Sequence, residues 1–420
     1  MSETSVQRTI EAVWRMESAK IIARLARMLT QVGLAEEFAQ EALLSALERW
    51  PTTGVPDNPG AWLMTAAKNR ALDELRRRKL LERSHEAIAH EAPLVGSASE
   101  DPAEASDIGD DLVRLMFIAC HPVLSTEART ALTLRLLGGL STAEIARAFL
   151  VPESTIAQRI VRAKRTLAEA RVPFETPRAE ERAARVSSVL EVIYLIFNEG
   201  YAATSGEDWM RPALCEDALR LGRIIAELLP GESEVHGLVA LMEIQASRTG
   251  ARVDAEGEPI LLPAQNRARW NQLMIRRGLA ALEHAQALGG AFGPYTLQAA
   301  IAACHARAPT ALDTDWPQIV ALYDALAQIA PSPVIELNRA VAVSMAFGPA
   351  AALELVEALS SEPRLKNYAL LPSVHGDLLE KLGRFDEART EFSRAASLTQ
   401  NARDRKLLLG RAAACGSGPQ

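Results

Sequence analysis

Apolar residues recur along this chain at the three- and four-residue intervals of amphipathic helices. Over residues 6–32 the set Val13, Met16, Ile21, Ile22, Leu25 and Leu29 predicts one long helix with a single inward stripe. Beyond Gly33 a second helix runs to Trp50, with Phe38, Ala42, Leu43, Ala46, Leu47 and Trp50 inward. Its outward face carries Glu36, Glu37, Gln40, Glu41, Glu48 and Arg49, a pattern that by itself describes a solvated helix face. Residues 51–60 (PTTGVPDNPG) lose the period and read as a loop too short to link domains. A third helix over 61–83 turns Trp62, Leu63, Ala66, Leu72 and Leu75 inward and places Lys68, Asn69, Arg70, Arg76, Arg77, Arg78 and Lys79 on the other side. A basic stripe beside an aromatic residue and a loop suits an unpaired nucleic-acid strand, whose bases stack or enter pockets while arginines follow the backbone.

Residues 141–167 (STAEIARAFLVPESTIAQRIVRAKRTL) predict two short helices joined by a tight turn. Ser141 and Glu144 stand at the spacing of a capping box, and Ile145, Ala146 and Phe149 follow on one face. Pro152 cannot continue that helix but suits the first turn of another, so the break falls at Leu150–Val151. From Glu153 on, Ile156, Ile160, Val161 and Leu167 keep helical spacing on the buried side, while Gln158, Arg159, Arg162, Lys164 and Arg165 lie opposite. This is the layout of a helix-turn-helix whose second helix enters a DNA groove, its early polar residues reaching base edges and its cations meeting phosphates. Taken alone, the same residues also fit a plain amphipathic hairpin with a solvated basic face.

Composition narrows the class. Of 420 residues, 48% are hydrophobic and only 5% aromatic, which with abundant Ala, Leu, Glu and Arg points to an all-α protein of two or three domains. No run of 18 apolar residues occurs and the N-terminus lacks an apolar core, so a cytoplasmic protein is expected. Cys120, Cys215, Cys304 and Cys415 are far apart, without the spacings of a zinc site or a disulfide framework. The net charge of −7 is segregated. Residues 1–85 hold 13 basic against 11 acidic residues, 86–111 none against 8, 112–172 nine against 4, and 173–420 hold 24 against 30. Both small N-terminal blocks are positive, and it is the local patch that decides nucleic-acid binding.

The order AEEFAQEALLSALERW, a Pro/Gly loop, NPGAWLMTAAKNRALDELRRRK, an acidic linker and a helix-turn-helix ending ESTIAQRIVRAKRTL resembles bacterial RNA polymerase sigma factors of the extracytoplasmic-function group over about residues 8–172. The resemblance implies a first domain at 1–85 that binds the polymerase and melts the minus-ten element, an acidic linker at 86–111, and a second domain at 112–172 that reads the minus-thirty-five element. By motif, Glu37, Gln40 and Glu41 fall on the patch that grips the core polymerase. Asp57, Asn58, Trp62, Lys68, Asn69, Arg70, Arg76 and Arg77 fall on the loop and helix that meet the minus-ten strand, where a base is flipped out. Glu153, Ser154, Thr155, Gln158, Arg159 and Arg162 fall on the face that meets the minus-thirty-five DNA. The linker reads as disordered in isolation, and as a plain spacer without the resemblance. With it, the linker threads the RNA exit path and yields to the growing transcript.

The group's minimal form would end near residue 172, so residues 173–416 are an extension. Its apolar runs alternate with Gly and Pro turns and predict eight or more packed helices. Gly376, Gly383, Ala388, Phe392 and Ala395 resemble a tetratricopeptide repeat, with Pro372 and Gln400 as departures, and Ala340, Ala352 and Val356 repeat the pattern faintly. Such a solenoid presents a concave surface suited to holding a partner. Polar residues among apolar ones, such as Asp217, Arg267, Trp270, Asp315, His375 and Asp377, read as caps, buried ion pairs or contacts between repeats. Asn198, Glu199, Tyr201, Arg220, Asn338 and Arg339 carry the sharper expectation that the extension docks against the first two domains and regulates them. A subset of the sigma group has such an extension.

An enzyme is not expected: the seven histidines form no HxxxH, HExxH or triad-like arrangement, and phosphate-loop and nucleophile-elbow motifs are missing. Neither cofactor nor bound metal is expected. The partners implied are core RNA polymerase, promoter DNA and a partner of the extension. The competing class is a ligand- or partner-sensing helix-turn-helix activator that never engages polymerase as a sigma factor, and such a protein has no reason to carry the first 80 residues.

Overall fold

The computed structural model describes residues 3–85 and 102–416, with side chains placed for 6–77, 108–178 and 180–416. Most of the acidic linker, residues 86–101, and the side chains of Arg78 and Lys79 lie outside the described residues. The fold is all-α, and the chain divides into two compact units, Met1–Ile193 and Tyr194–Gln420. Both positive N-terminal blocks belong to the first unit.

In that unit α1 (Glu3–Leu29) packs against α2 (Val32–Thr53), α3 (Pro59–His85) and α4 (Pro102–Ala119). The apolar stripe of α1 is buried as predicted at Val13, Ile21, Ile22, Leu25 and Leu29, but Met16 is 62% exposed and Ser18 takes the inward place. Along α2 the fully buried positions are Ala35, Ala39, Ala42, Ala46 and Trp50. Phe38, Leu43 and Leu47 are only half-buried, because small side chains let α1 approach closely. Pro51 does not end α2: the Thr52 and Thr53 hydroxyls both donate to Arg49 O at 2.9 Å, and Gly54 at φ 85° closes the helix. The loop is therefore only residues 54–58. The last ten residues of the acidic stretch are likewise the start of α4 rather than linker. Asp111, wholly buried there, meets Arg114 at 2.8 Å, Arg24 at 3.5 Å and Arg27 at 3.6 Å.

Helices α5 (Thr126–Leu136), α6 (Thr142–Phe149) and α7 (Glu153–Glu169) form the helix-turn-helix. Both halves of the capping box are present: Glu144 N–H donates to Ser141 Oγ at 3.1 Å, and Ser141 N–H donates to Glu144 Oε2 at 2.8 Å. Leu150 in the left-handed region (φ 50°) makes the turn, and Pro152 stands at the N-cap of α7, one residue before the predicted place. Val161 is 64% exposed, a correction to the predicted buried side: the inward stripe runs through Ile156, Ile160, Ala163 and Leu167, leaving Val161 one residue off its axis. The end of α5 reaches α1 through Gly139, which is left-handed at φ 69°; a Cβ there would stand 2.9 Å from Ser18 Oγ.

The division falls within α8 (Ala179–Tyr201), and the second unit contains α9 (Pro212–Leu228), α10 (Ser233–Ala246), α11 (Gln272–Ala287), α12 (Pro294–Arg307), α13 (Trp316–Ile329), α14 (Pro333–Phe347), α15 (Pro349–Leu359), α16 (Leu370–Lys381), α17 (Phe385–Leu398) and α18 (Ala402–Gly416). Successive helices pack as hairpins. The repeat residues Ala340, Ala352, Val356, Ala388, Phe392 and Ala395 are all fully buried, and a Cβ on Gly376 would lie 2.8 Å from the Phe392 ring. The two ends of the array are joined. Strands β1 (Ser205–Gly206) and β2 (Gln400–Asn401) pair in parallel. Buried Asn401 donates to Ala203 O at 3.1 Å and Asp208 O at 2.9 Å, while Trp209 Nε1 donates to Asp404 at 2.8 Å. All four cysteines are free and buried.

Candidate nucleic-acid interface

Three faces of the first unit carry the predicted residues. On α2, Glu37 is exposed, Gln40 donates to the Glu36 carboxylate, and Glu41 is paired with Arg70 of α3. Arg70 also donates to Ser45 Oγ at 2.8 Å. The side chains assigned separately to polymerase and to the minus-ten strand thus share one ion pair across the α2–α3 groove.

On the loop and α3, Asp57 is exposed and Asn58 accepts from Ala61 N–H at 3.0 Å, so the Asn58 side chain caps α3. Trp62 packs edge-on against Trp50 with ring centroids 5.4 Å apart, which fixes the indole beside the loop. Asn69 and Arg76 follow at seven-residue intervals and are exposed, forming one strip with Trp62, while Lys68 is half-buried. Arg76 and Arg77 pair with Asp73 (3.3 Å) and Glu74 (3.0 Å) in i,i+3 contacts whose guanidiniums stay open to solvent.

On α7, Glu153, Ser154, Gln158 and Arg162 are exposed and Thr155 and Arg159 half-buried, all on the side away from Ile156, Ile160 and Leu167. Arg165 pairs with Glu169 at 2.6 Å on the same open side. Lys164 is the exception to the predicted basic face: it is turned inward and paired with Glu36 of α2. Glu36 itself, expected outside, is 2% exposed and accepts from Arg135 Nε of α5 at 2.6 Å. Arg15 and Glu144 add a third tie at 2.7 Å. Although partial burial opposes it, hydrogen bonds from Ser141 together with Arg15 hold the Glu144 carboxyl below its ordinary range. The helix-turn-helix is therefore clamped onto α1 and α2 by ion pairs. The signal for Glu36 was its place three residues before Ala39 and seven before Leu43, on the edge of the inward stripe.

In the second unit the predicted docking residues are engaged within the unit. Glu199 pairs with Arg211 and accepts from Thr204 Oγ1 at 2.9 Å, clamping the turn after α8. Tyr201 stacks on Phe197 at 5.6 Å, and Asn198, between them in the chain, is half-buried. Arg220 pairs with Asp217 at 3.4 Å. Arg339 bridges Glu336 at 2.9 Å and Asp324 of α13 at 3.3 Å, and Asn338 beside it is half-buried. Among the described residues no cluster of His, Cys, Asp and Glu is placed to hold a metal, and no helix is long and apolar enough to cross a membrane.

These faces lie on a helical unit of two parts, the second of them a helix-turn-helix. The chain matches the families Sigma-70 region 2 over residues 14–80 and Sigma-70 region 4 over 114–167, and a family of unknown function, DUF6596, over 185–286. It is 32% identical to the ECF RNA polymerase sigma factor SigK of Mycobacterium ulcerans over 35% of this chain and 78% of that protein. It is 29% identical to a probable ECF RNA polymerase sigma factor, SigI, of Mycobacterium tuberculosis over 41% of this chain and 59% of that protein. An uncharacterized protein of Rhizobium meliloti is 44% identical over 90% of this chain and 89% of its own length, so the extension is shared. The chain belongs to the extracytoplasmic-function family of RNA polymerase sigma factors.

Proposed function

We propose that this chain loads onto core RNA polymerase through the α2 face containing Glu37, Gln40 and Glu41, and opens promoters at the loop 54–58 and the α3 strip. Asp57, Asn58 and Trp62 surround the extruded base, while Lys68, Asn69, Arg70, Arg76 and Arg77 follow its strand. Flipping a base costs a few kcal/mol of unstacking, which a pre-positioned aromatic and nearby cations offset. Glu153, Ser154, Thr155, Gln158, Arg159 and Arg162 read the upstream duplex element from the major groove. The observation that carries this reading is the presence, on one compact unit, of both sigma regions with the exposed faces of α3 and α7 carrying the polar residues. The second unit, through Asn198, Glu199, Tyr201, Arg220, Asn338 and Arg339, modulates the first.

The clamp at Glu36 gives the free protein a consequence. With Lys164 engaged by Glu36, one cation of α7 is withheld from DNA. Promoter binding by the free protein is weak for that reason, because only five net positive charges lie on residues 112–172, and because residues 173–420 are net acidic. The test is co-migration of the full chain with core polymerase. The Glu37→Ala, Gln40→Ala, Glu41→Ala triple variant loses association by about tenfold or more, since truncating anchor residues at an interface costs more than about 1 kcal/mol each. Association equal to that of the unaltered chain refutes the assignment of the face.

A further inference from the structure

The longest stretch without α-helix among the described residues joins α10 to α11, over residues 247–271. It is ordered by three single 3-10 turns and a bridge between Val253 and Pro259, around a buried cluster of Ala251, Trp270 and Ile275. Long ordered connections in a compact helical unit are where function concentrates.

Three guanidiniums gather there on aromatic rings. Arg252, 5% exposed, lies 3.5 Å from the Tyr201 ring centre and 4.5 Å from that of Trp209, and donates to Tyr201 O. Arg267 lies 4.8 Å from the Trp270 ring and donates to the carbonyls of His305 and Ala308 and to Thr314 Oγ1. Arg248 stands over both sets, 5.7 Å from Tyr201 and 5.8 Å from Trp270. Among the described residues its side chain makes neither a hydrogen bond nor an ion pair, and none of the three guanidiniums pairs with a carboxylate. Asp404, held by Trp209, and Asp313 act on Arg252 and Arg267 only from a distance.

Three shielded N–H groups around the Trp270 ring lack acceptors: Arg248 Nε, Arg267 Nε and the indole Nε1 of Trp270, whose residue is 3% exposed. Buried donors without acceptors are costly, and clustered like charges add to that cost. At the Trp270 ring the orphaned groups are all donors and the charge is positive, while Gln265 Oε1 elsewhere in the connection is an acceptor without a donor. That positive charge reaches His305, whose imidazole is pushed down to about 4 by burial and by Arg248 and Arg267.

We propose that Arg248, Arg252 and Arg267, with the indole N–H of Trp270, form a binding site for the phosphate group of a small soluble ligand. Guanidinium forks match phosphate oxygens, and the half-buried Arg248 keeps the site reachable from solvent. The inference is independent of the polymerase reading and would hold if the chain never met polymerase. A ligand there would give the second unit a signal to respond to.

The experiment is calorimetric titration of the full-length chain with inorganic phosphate at constant ionic strength. One phosphate binds per chain. Arg248→Gln, which breaks no contact other than ring stacking, weakens binding by about tenfold or more. Arg162→Gln, on the DNA-facing side of α7, leaves it unchanged and so separates this site from the nucleic-acid surface. A second readout follows the His305 ring by proton NMR: saturating phosphate raises its pKa, and Arg248→Gln abolishes that rise. Equal binding by the Arg248→Gln chain, sensitivity to Arg162→Gln instead, or no binding to the unaltered chain overturns the proposal.

Discussion

At the scale of single residues, Glu36 shows how a charge can be structural on a helix face whose other carboxylates are proposed to meet a partner. It is buried and answered by Arg135 and Lys164, both of which keep partial solvent contact. Removing one member of a buried ionic cluster strands the others, at a cost of several kcal/mol when burial is deep and less when the partners can hydrate. Glu36→Gln is expected to destabilise the first unit by about 1–3 kcal/mol. Amide exchange in α5 and α7 then rises ahead of global unfolding; exchange unchanged there would contradict the clamp. His305 gives a pH dependence with a definite sign. Its folded pKa of about 4 is below the ordinary 6.5, so the unfolded chain takes the proton first. Stability from this group is full above pH 6.5 and declines as pH falls toward 4, by a total on the order of 3 kcal/mol. In His305→Gln that part of the pH slope disappears from denaturant melts.

Among the elements, most helices were legible from the spacing of apolar residues, and the capping box at Ser141 and Glu144 was readable to the atom. What the spacing left out was the polar work inside the helices. Glu36 and Lys164 read as outward charges because a period shows which face an amphipathic helix turns inward, not whether a second domain covers its edge. The loop after α2 is shorter than the sequence suggests because, although proline usually ends a helix, two threonine hydroxyls support the last turn here. The candidate site was legible only through the family resemblance, since carboxylates on α2 and arginines on α3 are ordinary surface residues without it. The glycines allow a controlled comparison. Gly376→Ala places a Cβ against the Phe392 ring and should cost about 1–3 kcal/mol of overpacking. Gly383→Ala meets open space and should cost only the roughly 1 kcal/mol of a left-handed alanine at φ 77°. Thermal melts in which the two lose equal stability would contradict the packing described for the α16–α17 hairpin.

For the whole molecule, the tie between β1 and β2 matters more than its two-residue strands suggest. It joins segments some 195 residues apart and is organised by Asn401, which donates twice and accepts from Arg403 N–H at 3.0 Å and Asp404 N–H at 3.3 Å. Asn401→Ala leaves several buried carbonyls and amides unpaired and is expected to cost about 2–4 kcal/mol. Proteolysis should then release the α17–α18 end first. Nothing in the sequence announced this closure, because a parallel pairing of two-residue strands has no periodic signature.

The central claim is that the first unit makes polymerase start transcription at chosen promoters, and run-off transcription with purified core polymerase on the DNA upstream of this protein's own coding region tests it most directly. The full chain should direct a transcript of defined start. The Glu37, Gln40, Glu41 triple alanine variant should lose it, and Arg159→Ala with Arg162→Ala should lose it while still associating with core. A full chain that shifts the free duplex but neither associates with core nor directs a transcript would contradict the account and leave a DNA-binding activator in its place.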